Sequence, residues 1–161
     1  MLDQFLQDST NQRTDNYGGS LENRARLLLE VTDAVLSVWE PGRVGVHLAP
    51  RADSHDMGDS NRAETFTYVA RELGKRNIAF LCAREHEADD SLSPSLKAAF
   101  GGAFIANEGF TKDQANAWLA PFGRKIGPDP ASINACKIGG IVANNASGMC
   151  CGTAQNTYHT P

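Results

Sequence analysis

Apolar residues along the first hundred positions follow two alternating rhythms. Leu21, Leu27, Leu28, Val31, Val35 and Val38 recur at helical spacing behind Ser20, and Pro41-Gly42 ends the run. Residues 43–48, Arg-Val-Gly-Val-His-Leu, then form a short segment stopped by Pro50, the pattern of a buried strand. A loop over 51–62 leads to a second helix over 63–76, with Phe66, Val69, Ala70 and Leu73 on its apolar face. Ile78-Ala79-Phe80-Leu81-Cys82 reads as the next strand, followed by a helix around 94–100 and a strand over 102–106. Thr111 stands where an N-cap is expected for a helix over 112–120.

Three apolar strands alternating with helices predict a parallel α/β sheet buried on both faces. Their spacing of about 25–35 residues suits either barrel units or a doubly wound sheet. A closed eight-stranded barrel takes roughly 200 residues or more. The 161 residues here therefore predict only part of one. The texture changes at Ala120-Pro121. The first 120 residues carry 12 Lys/Arg against 18 Asp/Glu, whereas the last 41 carry 3 against 1 and are rich in Gly, Pro, Asn, Ser and Thr. Two segments follow: 1–120 with the strands and helices, and 121–161 as an irregular Gly/Asn-rich tail in which 138–143 can add an edge strand.

A net charge of −4 argues against a nucleic-acid surface. No apolar run reaches 18 residues, so no membrane span is expected, and Met1-Leu2-Asp3 has no signal-peptide character. Cytoplasmic is the default. Cys82, Cys136, Cys150 and Cys151 are read as reduced thiols, and Cys150-Cys151 has no partner set for zinc. His55, Asp56 and Asp59 match no standard ligand spacing, so no metal is expected.

Leu2-Asp3-Gln4-Phe5-Leu6, the run Arg13–Arg24, Arg43–Pro50, His55–Ser60 and Phe104–Phe110 occur in the order found in Old Yellow Enzyme-like flavin reductases, and residues 2–119 resemble the middle-to-late part of that family. The resemblance implies a partial (β/α)8 barrel. It also implies FMN at the C-terminal mouth, NAD(P)H as reductant and an activated alkene as hydride acceptor. His47 falls where many relatives place an Arg beside the flavin N1–O2 edge. Glu108 and Gly109 match the turn whose backbone N–H groups hold the FMN phosphate. Arg13, Asp15, Glu22, Asn23 and Arg24 are expected to brace a loop. The family's proton-donating tyrosine and its substrate-binding His pair align before Met1, so no catalytic residue is assigned within these 161 positions.

Residues 121–158 resemble a different flavoenzyme fold, the FAD-binding domain of D-lactate dehydrogenase and vanillyl-alcohol oxidase-type enzymes. The stretch from Pro121 to Thr153, with Gly139-Gly140 and Asn144-Asn145-Ala146-Ser147-Gly148 within it, carries the likeness. It implies that Gly139, Gly140, Asn144, Asn145 and Gly148 run along an FAD pyrophosphate, where missing Cβ atoms and amide donors suit phosphate oxygens. Three readings result. One is an FMN-dependent reductase segment inactive without further barrel elements, supplied by another chain. The others are an FAD-binding fragment and a non-catalytic chain that self-associates through open strand edges.

Overall fold

The computed structural model describes residues 1–51, 54–85 and 89–107, with scattered positions between 111 and 120. Its contacts divide the chain into Met1–Asn107 and Glu108–Pro161. The textural boundary at Ala120-Pro121 falls inside the second unit. Expectations for 121–161, the edge strand over 138–143 included, lie outside the described residues. Of the second unit, only the cap at Thr111 is described in detail: its Oγ1 accepts the Gln114 N–H at 3.3 Å, and Gln114 Oε1 accepts the Thr111 N–H at 2.8 Å.

The first unit runs α1 (Leu2–Leu6), α2 (Leu21–Leu36), β1 (Gly45–Leu48), α3 (Arg62–Lys75), β2 (Phe80–Arg84), α4 (Ser93–Phe100) and β3 (Ala103–Asn107), with short 3-10 turns at Pro41–Arg43 and Ser54–Asp56. The strands form one parallel sheet in the order β1-β2-β3. Each neighbouring pair is joined through a helix, as parallel pairing requires. The three strands expected within 1–107 are present, each beginning one or two residues later than the apolar run. Helix ends are set by local chemistry. Ser20 Oγ accepts the Asn23 N–H at 3.3 Å to start α2. Asn61 accepts from Glu64 N and donates to its carboxylate to start α3. Gly101, at φ 74°, takes the left-handed conformation that closes α4.

Among the described residues, helices cover one face of the sheet, so the expected burial of both faces is not seen there. Val46 and Leu48, Leu81 and Ala83, and Phe104 and Ala106 alternate toward the helices, where Leu28, Phe66, Val69, Leu73, Leu96 and Phe100 complete the core. Residues of opposite parity are exposed or half-buried. Helix α3 buries Phe66, Val69, Ala70 and Leu73, as its spacing predicts. Helix α2 does not follow its pattern. It buries Arg24, Ala25, Leu28 and Thr32, while Val31, Val35 and Val38 are exposed. Two apolar stripes overlap on this helix. The stripe carrying Arg24, Ala25, Leu28 and Thr32 turns inward, and Thr32 is accommodated because its hydroxyl donates to Leu28 O at 2.8 Å.

Helices α3 and α4 meet closely at Gly74. A Cβ there would lie 2.3 Å from the Phe100 carbonyl oxygen. Alanine is the better helix former by about 1 kcal/mol, but this contact is with backbone and cannot swing aside. Gly74→Ala is expected to lose about 1–3 kcal/mol of stability, read as a lower urea midpoint with an unchanged slope.

Candidate functional site

The open face of the sheet presents three rows. Gly45, Phe80 and Ala103 lie in register at the bottom, His47, Cys82 and Ile105 above them, and Arg84 with Asn107 at the top. In a parallel α/β sheet the strand C-terminal ends are where ligands bind, because the loops leaving them converge there. The bottom row is closed by packing: a Cβ at Gly45 would lie 2.3–2.5 Å from the Phe80 ring, so the aromatic ring lies over the glycine. Phe80 and Ile105 remain 37% and 47% exposed, an apolar floor under polar groups. Imidazole, guanidinium and amide at the rim form a donor set suited to the carbonyl edge of a planar ring or to a phosphate. Cys82 is a free, half-buried thiol that burial pushes up, which keeps it neutral.

Loops behind this rim are tied together by a buried carboxylate. Glu85 lies one residue beyond β2, and its own N–H donates to Asn107 O at 2.9 Å. Its side chain is fully buried. Oε1 accepts from Arg51 Nε at 2.8 Å and Leu92 N at 2.7 Å, and Oε2 from Ser93 N and Ser93 Oγ, both at 2.8 Å, and from Ser91 Oγ at 3.0 Å. Burial pushes this carboxyl up, but the donors outweigh burial and hold it below the usual glutamate range. Two of those donors are backbone N–H groups at the start of α4, which is where a negative charge is favoured. Arg51 reaches on to Asp90, meeting its carbonyl at 2.5 Å and its carboxylate at 3.0 Å. The β1 and β2 exit loops are thereby joined. A cavity of about 430 Å³ opens beside this bridge, with Arg51, Asp59, Asn61, Arg62, Asp90 and Leu92 among its walls; none of the open-face residues lines it.

A second brace centres on Arg24. Its guanidinium meets Asp8 Oδ2 at 3.3 Å, Asp59 Oδ2 at 3.6 Å and Thr65 Oγ1 at 3.2 Å. Asp8 also accepts from Ser60, and Asp59 from Asn61 N and Thr65 Oγ1. The loop before α2 is thus fastened to the loop before α3. Arg13 pairs with Asp15 on the surface. Asn23 accepts from Arg26. His55 and Asp56 sit at φ 60° and 58°, a left-handed pair in the loop after β1.

Of the residues singled out in the sequence, His47 is exposed on the open face. Glu108, Gly109, Gly139, Gly140, Asn144, Asn145 and Gly148 lie outside the described residues. The Arg24 brace agrees with the expected structural role, although its partners come from Asp8 and Asp59 rather than from its own loop. Sequence reasoning did not single out Arg84, Asn107, Arg51 or Glu85. Arg84 continues the parity of Phe80 and Cys82, which was a usable signal. For Glu85 there was none, because its partners are assembled by the fold.

Removing the Glu85 carboxylate leaves the largely buried Arg51 with Asp90 alone and strips the Ser91, Leu92 and Ser93 donors of their acceptor. Glu85→Ala is expected to cost about 3–5 kcal/mol, measured by chemical denaturation. The wild-type carboxyl is lowered on folding. Its stabilisation is therefore complete above the ordinary glutamate value of about 4.3 and is lost as pH falls through the lowered native value. A stability titration from pH 7 to pH 2 should show that loss in the wild type and a flatter profile in the variant.

Residues 1–130 match the NADH:flavin oxidoreductase / NADH oxidase family. The chain is 38% identical over 129 residues to 12-oxophytodienoate reductase 2 of Arabidopsis thaliana, covering 74% of this chain and 34% of that protein. An old yellow enzyme homologue from Zymomonas mobilis superposes with a TM-score of 0.71 at 35% identity, covering 76% of this chain and 37% of that one. Morphinone reductase in complex with tetrahydroNAD gives a TM-score of 0.69 at 37% identity, covering 75% and 34%. The chain thus spans little more than a third of each of these proteins. These comparisons lend no support to the FAD-domain likeness of residues 121–158. Parallel strand order, a polar rim at the strand ends and the match over 1–130 agree: this chain belongs to the NADH:flavin oxidoreductase / NADH oxidase family.

Proposed function

We propose that residues 1–120 are the part of an FMN-dependent NAD(P)H oxidoreductase of ene-reductase type that holds one side of the flavin. The observation carrying this reading is His47 exposed on the open sheet face, in register with Cys82 and Ile105 and one row above Phe80. That arrangement fits a flavin: imidazole against the N1–O2 edge, with Glu108 and Gly109 supplying backbone N–H groups to the phosphate. When bound, the flavin supplies hydride transfer from NAD(P)H to an activated alkene. The residues of this chain bind and orient it, and none is proposed as catalytic. The reaction is proposed to require further barrel elements.

Two features support that requirement. Both outer strands of the sheet, β1 and β3, have an edge with no partner strand among the described residues, and Phe80 and Ile105 are exposed between them. Open edges and apolar rows favour pairing with another chain or with a second copy. No helix among the described residues is long and apolar enough to cross a membrane, and a cytoplasmic location is the reading we adopt. FAD binding by Gly139, Gly140, Asn144, Asn145 and Gly148 remains a separate proposal for the tail.

One titration separates these readings. Purified chain is mixed with FMN or FAD and flavin fluorescence is followed. Saturable quenching at micromolar FMN, weakened about 10-fold by His47→Ala as expected for loss of one hydrogen bond, supports the FMN reading. Quenching by FAD alone moves the assignment to the tail. Silence toward both, with light scattering showing large assemblies, leaves a non-catalytic self-associating chain.

A further inference from the structure

We draw no further inference here: the strongest candidate, the exposed apolar stripe that Val31 and Val35 begin on α2 and Val38 and Trp39 continue just beyond it, carries none, because nothing in the structure shows what covers it.

Discussion

A single buried negative charge sets the geometry of the sheet's business end. Glu85 sits where β2 stops, and a carboxylate at this depth is tolerated only if it is surrounded by donors. It has five, drawn from a guanidinium, two backbone N–H groups and two hydroxyls. Meeting that requirement fixes the start of α4, the course of the loop over 89–92 and the position of Arg51 from the neighbouring loop. The constraint runs in both directions. Arg51 is itself largely buried, so its charge depends on Glu85 as much as Glu85 depends on it. The order at the strand ends is therefore electrostatic in origin, whereas that of the sheet's covered face is hydrophobic.

The uncovered face follows different rules. Its rows alternate in character along the strands, from Phe80 packed over Gly45, through the mixed middle row, to the polar pair Arg84 and Asn107. A planar ligand resting on this surface meets apolar contacts beneath and donors at one end, which defines an orientation before any loop closes. The same rows are incomplete as a protein interior, since Phe80 and Ile105 stay wet. Helix α2 repeats the theme on the outside, where Val31 and Val35 lie beside its buried stripe.

Much of the architecture was legible in the sequence, because the rhythms that produce it are local. Strand runs stopped by Pro50 or followed by helical spacing gave three strands and α3 with the correct buried residues, and Ser20 and Thr111 announced their caps. The inward face of α2 was not legible. Leu27, Val31, Val35 and Val38 are as apolar as the stripe that won, and the choice depends on what the sheet brings opposite. Burial of both sheet faces is not seen among the described residues for a related reason: an apolar strand does not say whether its second face has a neighbour. The candidate site divides in the same way. His47 was singled out through the family resemblance, whereas Arg51 and Glu85 are 34 residues apart and meet only through the fold.

Strand order here follows chain order, Gly45 pairing with Phe80 and Phe80 with Ala103. Each pairing can form as soon as one further helix and strand have been synthesised, with no wait for a distant terminus. Such nesting keeps loop closure short and favours fast, vectorial acquisition of structure on the ribosome. The same modularity lets a stretch of this length be lifted out of a larger ring, or joined to one, without rethreading the backbone.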